Sequence, residues 1–223
     1  MGAYLQASCF LSGVLPMSKF QPFAIAGLGA VLVLSPLAVV AQGAFSSDPA
    51  QVQAGDYKLD PAHSKITWSV NHFGFSTYVG QFSKVEGTVS IDPKKASAAK
   101  LDVTIDAGSV GTLNPALDAH LKTADFLDTG KFPTATFKAT TIKLTGKRTA
   151  DITGDLTLHG VTKPVTVAAT FNQGGVNPVD KTYSLGFAGK AKIKRTDFGV
   201  SAYAPALGDE VTLELEAELK KIG

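Results

Sequence analysis

The chain has 223 residues, a formal charge of +2 and one cysteine, Cys9. Charge this close to balance excludes an electrostatic nucleic-acid binder and gives no attraction to an anionic membrane surface. One cysteine excludes an intrachain disulfide and a Cys-based zinc site, so stability must rest on the apolar core that a domain of this size can enclose.

The first 41 residues carry a single charge, Lys19, and are apolar or small throughout from Phe23 to Ala41. This pattern predicts a secretory signal peptide over 1–41, with Val39-Val40-Ala41 as the cleavage context. Met17-Ser-Lys-Phe would make a natural start, since Met1 to Pro16 adds no charge. The alternative is an uncleaved anchor, because the run is nearly long enough to span a hydrocarbon core of ~30 Å. Gly27, Gly29 and Pro36 weaken that reading, and no stable membrane span is expected after processing. Processing would also remove Cys9 and both methionines, leaving 20 basic against 19 acidic residues.

A polar linker is predicted over 42–55, and a folded domain over 56–222. In that domain apolar residues alternate with polar ones at period two, the signature of strands with one buried face. The alternation runs through Ile66, Trp68 and Val70, through Leu101, Val103 and Ile105, and through Val165, Val167, Ala169 and Phe171. It continues through Tyr183, Leu185, Phe187, Ala191 and Ile193, and most plainly through Val211, Leu213, Leu215, Ala217 and Leu219. Turns are predicted at Asp92-Pro93, Thr145-Gly146-Lys147, His159-Gly160, Gly174-Gly175 and Leu207-Gly208-Asp209. About eight strands with short connections are best satisfied by an all-β, antiparallel, eight-stranded barrel, which removes every sheet edge. Gly80, Gly87, Gly186 and Gly189 fall inside strands, where they supply curvature and interior space.

One segment breaks the rhythm. Asn114-Pro115 is a helix start, a capping Asn before a Pro at the first position, and Leu117, Leu121 and Ala124 follow at helical spacing. A short helical insertion is predicted around 114–128, ended by Gly130, with its apolar residues over one end of the barrel.

Reactive constellations are sparse. The four histidines, His63, His72, His120 and His159, have no metal-binding spacing, and no metal is expected. Asp60, His63 and Ser64 contain the residue types of a hydrolytic triad, but neighbours on one turn rarely converge in that geometry. Local backbone bonding is the better reading. His159, in a Leu-His-Gly turn, is expected to face solvent. The glycines form no phosphate cradle.

Two blocks carry a resemblance: Asp118 to Phe137, reading Asp-Ala-His-Leu-Lys-Thr-Ala-Asp-Phe-Leu-Asp-Thr-Gly-Lys-Phe-Pro-Thr-Ala-Thr-Phe, and Leu-Thr-Leu-His-Gly-Val-Thr-Lys-Pro-Val-Thr-Val at Leu156 to Val167. With Tyr-Lys-Leu-Asp-Pro-Ala-His-Ser from Tyr57 and Arg-Thr-Asp-Phe-Gly-Val from Arg195, the chain resembles the YceI-like family of periplasmic lipid-binding proteins. Asp118, His120, Leu121, Asp125, Phe126 and Asp128 match the family's Arg-Asp-x-His-Leu-x-Ser-x-Asp-Phe-Phe-Asp pattern. The chain departs from it at Leu117, Thr123 and Leu127, and without the Arg an anionic head-group contact there loses its basis. The resemblance implies a lipocalin-like barrel in the periplasm holding a polyisoprenoid, a quinone tail or another long-chain lipid.

A carrier or store for such a chain, with no enzymatic activity and no cofactor beyond a bound isoprenoid quinone or similar cargo, is therefore the leading expectation. The predicted lining is Trp68, Val70, Phe82, Phe137, Leu156, Leu158, Leu185 and Phe187, with Phe126, Leu127 and Phe132 from the insertion and Tyr203 near the far end. Alternation alone does not separate a hollow barrel from a filled one. Two other classes stay open: a lipid-modifying enzyme using His120 with Asp118 or Asp125, and a stress-response interaction protein with a filled barrel. Oligomeric state is open too, a homodimer being compatible with strands near an opening.

Overall fold

A computed structural model of the protein describes residues 45–223; the predicted signal peptide lies outside the described residues. Eleven strand segments make one antiparallel sheet: β1 (Gly55–Leu59), β2 (Lys65–His72), β3 (Ser76–Phe82), β4 (Val85–Ile91), β5 (Lys100–Asp106), β6 (Val110–Gly111), β7 (Thr134–Leu144), β8 (Thr149–Leu158), β9 (Val161–Val176), β10 (Tyr183–Lys194) and β11 (Leu207–Lys221). They occupy the eight positions of a closed barrel because three positions are split. β11 uses one edge twice, pairing β2 from Leu207 to Glu216 and β1 from Leu219 to Lys221. β3 and β4 continue one another in the same way, as do β5 and β6: β3 pairs with β2 and β6, while β4 pairs with β1 and β5.

The splits give the barrel two unlike ends. At the ring end, hydrogen bonding runs unbroken around β1, β4, β5, β7, β8, β9, β10 and β11. At the insertion end the wall stops at β6, and residues 112–133 fill the gap before β7. Helix α1 (Pro115–Leu121) opens this insertion as its sequence dictates, with the Leu117 N–H donating to the Asn114 side chain at 3.3 Å and Pro115 in the first turn. The helix is shorter than the predicted 114–128. After Leu121 the chain folds back on it, the N–H groups of Leu127, Asp128 and Thr129 donating to the carbonyls of Leu121, Thr123 and Lys122.

Three other expectations are corrected. Gly174-Gly175 and Leu207-Gly208-Asp209 are not turns: the first pair lies inside β9, and the second group opens β11 at a register shift between Leu207 and Val211. Residues 45–54 are not a free linker, because Ser46 bridges to Gly174, Pro49–Gln51 forms a 3-10 turn and Val52 is buried. The His159-Gly160 turn is as predicted, both residues taking the positive φ (53° and 75°) of a two-residue hairpin. His159 does not simply face solvent, since its Nδ1 lies 3.1 Å from the Phe198 carbonyl and its ring packs edge-on to Phe132.

The alternation turns Val211, Leu213, Leu215, Ala217 and Leu219 inward and sends Glu210 and Glu214 out to meet Lys192 and Lys190 of β10. Tyr57, Leu59, Val85, Val89, Leu185 and Leu219 belong to one buried cluster, towards the ring end. Each such side chain contributes roughly 2 kcal/mol.

Candidate functional site: an apolar bore in two chambers

The barrel interior holds two cavities. One of about 290 Å³ lies towards the ring end, and one of about 360 Å³ lies under the insertion. They share four lining side chains, Ile66, Ile105, Leu156 and Leu213, which form a waist between them. The ring-end chamber is walled by aliphatic residues of β4, β5, β7, β8, β9 and β11 together with Phe137, Phe171 and Phe187, and Pro49 and Val52 cover it. The insertion-end chamber is walled by Trp68, Val70 and Phe82, by Leu117, His120, Leu121, Phe126 and Leu127 of the insertion, and by Tyr203.

Two glycines keep this space open. The Trp68 ring lies directly against Gly80 on the neighbouring strand, and the Phe137 ring lies against Gly154; a Cβ at either glycine would collide with the ring. The absence of a side chain lets each aromatic lie flat on the wall instead of projecting into the bore. Trp68 Nε1 is the one buried side-chain polar atom without a partner among the described residues. An indole nitrogen can only donate, so a ligand oxygen would be its natural complement.

Ten of the twelve predicted lining residues face a chamber: Trp68, Val70, Phe82, Phe126, Leu127, Leu158 and Tyr203 the insertion-end one, Phe137 and Phe187 the ring-end one, and Leu156 both. Two do not. Leu185 is packed in the core against Gly174, and Phe132 lies outside, edge-on to His159 and against Gly160 beneath Lys131. Tyr203 is not at the far end from the insertion, because its ring sits 6.2 Å from Phe126 and 6.4 Å from His120. Of the insertion motif, Asp118 accepts from the backbone N–H and hydroxyl of Thr112 at 2.7 and 2.6 Å, pinning α1 to the end of β6. His120 Nε2 lies 3.4 Å from Asp125 in a half-exposed pair, and the Asp128 carbonyl accepts from Lys131 and Phe132.

Arg195, a residue sequence reading left without a role, organises the loop beneath Tyr203. It is buried, and its guanidinium donates to four backbone carbonyls, those of Gly208, Val200, Ala202 and Leu207, at 2.8 to 2.9 Å. Burial pushes its pKa down from the usual arginine range. The hint was compositional: of 21 basic residues only Arg148 and Arg195 are arginine, the side chain whose planar fork can bond several carbonyls at once. Arg148 does the same at the ring end, donating to the carbonyls of Phe171 and Asn172 at 2.8 Å.

The Asp60-His63-Ser64 turn is not a triad. Ser64 Oγ exchanges hydrogen bonds with the Glu218 backbone at 3.2 Å, away from catalysis. Asp60, His63 and Glu218 do bring ligand atoms within 4.8 Å of one another, but a countercharge is already present. Lys220 Nζ lies 2.8 Å from Asp60 and 2.6 Å from Asp180. Lys220, and after it His63, hold the Asp60 pKa down to about 2, and the two carboxylates in turn raise that of Lys220, Asp180 most. The cluster ties the β1–β2 corner and the β9–β10 turn to β11.

A closed antiparallel barrel with a two-chambered apolar bore and a helical plug defines a lipocalin-like barrel. Residues 57–219 match the YceI-like domain, and the chain belongs to that family. A UPF0312 protein of Pseudomonas savastanoi is 38% identical over 188 residues, covering 83% of this chain and 96% of its own. Among solved structures, BcnA of Burkholderia cenocepacia superposes with a TM-score of 0.65 at 27% identity, covering 72% of this chain and 98% of its own. A polyisoprenoid binding domain from Saccharophagus degradans shares the fold, with a TM-score of 0.55 at 16% identity over 76% of this chain and 100% of its own.

Proposed function

We propose that the protein is a periplasmic carrier or store for one long apolar chain, a polyisoprenoid, a quinone tail or a fatty acid or amide, without catalytic activity of its own. The observation that carries this reading is the pair of apolar chambers meeting end to end at a four-residue waist. A bore of that shape suits a linear ligand threaded through both. Membership of the YceI-like family and the likeness to a polyisoprenoid binding domain support it, and the apolar leader over 1–41 supports export. The energetics are sufficient. Each buried CH₂ is worth ~0.8 kcal/mol and micromolar affinity needs ~8 kcal/mol, so three or four isoprene units would bind even after substantial ordering costs.

The test is purification without detergent, followed by native mass spectrometry and organic extraction. A stoichiometric long-chain lipid is the expected result. Trp68 is the chain's only tryptophan and lines the insertion-end chamber, so its fluorescence should shift when undecaprenol is added. Phe187→Arg and Leu158→Arg place a charge in either chamber and should abolish retention, while Lys190→Ala, on the outer face, should not. Equal retention in all three would refute the cavity assignment.

A further inference from the structure

We infer that the insertion end is a docking surface for a lipid bilayer, through which the bore is loaded; this rests on the carrier reading above. A long isoprenoid has no useful concentration in water, since each exposed CH₂ costs ~0.8 kcal/mol. The bore must therefore meet a membrane at one of its ends, and the two ends differ in what they offer one.

Phe73 and Tyr203 mark an opening at the insertion end: both line the chamber, and both reach solvent, with exposures of 41% and 56%. Three turns belong to this half of the barrel. The β2–β3 hairpin tip, 71–77, reads Asn-His-Phe-Gly-Phe-Ser-Thr and holds Phe75 out at 89% exposure. The β6–α1 turn, Thr-Leu-Asn-Pro at 112–115, leaves Leu113 fully exposed. The loop 201–207, Ser-Ala-Tyr-Ala-Pro-Ala-Leu, carries Tyr203. Strand pairing sets the 201–207 loop beside the hairpin tip, as Leu207 is opposite His72, while Gly111 opposite Gln81 starts the 112–115 turn part-way along the β3 edge, heading toward that tip. None of the three contains Asp, Glu, Lys or Arg.

The ring end also exposes apolar side chains, Phe45 and Val176 among them, and Leu144 there both lines its chamber and reaches solvent, but the turns of that end carry charges. Leu144 lies near Lys143, Lys147 and Arg148, Val179 is followed by Asp180 and Lys181, and Ile222 follows Lys220 and Lys221. Uncharged turns tipped with Phe, Leu and Tyr, continuous with an apolar bore, suit the headgroup and upper acyl layer of a bilayer, where aromatic rings concentrate. The three turns have no basic residue, and in the insertion beside them Asp118, Asp125 and Asp128 outnumber Lys122 and Lys131, so the attraction needs no anionic lipid.

Flotation of the purified protein with phosphatidylcholine vesicles tests this. The wild type should float, about equally at ~0.05 M and ~0.5 M salt, because an uncharged contact is not screened. The double variant Phe75→Ser, Leu113→Ser, neither of which lines a chamber, should partition at least about tenfold less. Val179→Ser at the ring end should float like wild type. Wild-type protein that stays in solution, a double variant that still floats, loss on Val179→Ser, or a solution dimer that buries Phe75 would each overturn the inference. Undecaprenol delivered in detergent separates it from the carrier reading. The double variant should retain that lipid as wild type does, which also certifies its fold; wild-type failure to retain it would instead refute the carrier reading.

Discussion

The two ends of the barrel solve the same problem, closing a sheet around an apolar bore, by different means. At the ring end backbone pairing is complete, and side chains reinforce it: Lys220 bridges Asp60 and Asp180, Arg148 clasps β9, and Tyr57, its hydroxyl donating to the Gln53 carbonyl, is fully buried with its pKa pushed up to about 12 mainly by burial. At the insertion end the ladder is broken at β6, and side chains carry much of the closure: Asp118 on Thr112, Arg195 on the 200–208 loop, and an aromatic cluster of His120, Phe126 and Tyr203. A wall made of continuous hydrogen bonds opens only by unfolding. A wall made of a plug and a loop can part locally, since low-stability segments are where opening is cheapest. The architecture thus gives the insertion-end chamber a wall of plug and loop and the ring-end chamber a wall of continuous ladder.

The two arginines give the sharpest way to break that contrast. Arg195→Met removes four bonds to backbone carbonyls, one buried and three partly buried, and should lower stability by about 3 kcal/mol, roughly 10 °C in Tm for a domain of this size. Arg148→Met removes two bonds at a more exposed site, and the β8–β9 ladder persists without them; about 1 kcal/mol, or about 3 °C, is expected. Thermal denaturation of both variants followed by circular dichroism decides it. Equal losses would mean that the insertion end depends on Arg195 no more than the ring end depends on Arg148.

Acid should probe the ring end more than the insertion end. Asp60 has its folded pKa near 2, below the ordinary 3.8, because Lys220 and His63 favour its charged form. The unfolded chain therefore takes up a proton at higher pH than the folded one. The stabilisation is fully present above the unfolded pKa and disappears as pH falls through about 2. Asp60→Asn should be less stable than wild type at neutral pH, with the gap closing between about pH 5 and 2. A gap that is constant across that range would remove Asp60 from the acid response.

How much of this was legible in the sequence follows from what kind of interaction each feature uses. The strands of β2, β5, β9, β10 and β11 were readable because a half-buried sheet imprints period two on its own residues. So was the start of α1, a local matter of Asn114 and Pro115. The splitting of three barrel positions was not, because pairing β11 with both β1 and β2 is a non-local choice that leaves no local pattern. Alternation gave the inward face of Leu185 correctly, but whether that face meets a chamber or Gly174 depends on the opposite wall. Lys220, exposed by its pattern, is recruited by Asp60 from a corner about 160 residues away. Gly174-Gly175 misled in the other direction, a turn-like pair absorbed into a long strand because Leu185 needs the space.

The smallest effect expected is at the residue whose chemistry looks most suggestive. His120 lines the insertion-end chamber, sits edge-on to Phe126 at 5.1 Å and holds Asp125 at 3.4 Å, which is what an acid-base pair beside a lipid would require. The pair is long and open to water, however, with side-chain exposures of 39% and 64%, and such pairs contribute ~0.2–1 kcal/mol at most. Its backbone does the structural work: the His120 carbonyl accepts from both the backbone N–H and the hydroxyl of Thr123, and these bonds survive any side-chain change. His120→Ala should therefore cost under about 1 kcal/mol and leave undecaprenol retention within about twofold. A loss of retention beyond about tenfold, equivalent to ~1.4 kcal/mol, would instead show the imidazole contacting the ligand head group. Turnover of a lipid substrate abolished in His120→Ala, with binding intact, would replace the proposed carrier by an enzyme, and the insertion end of the barrel would then be its active site.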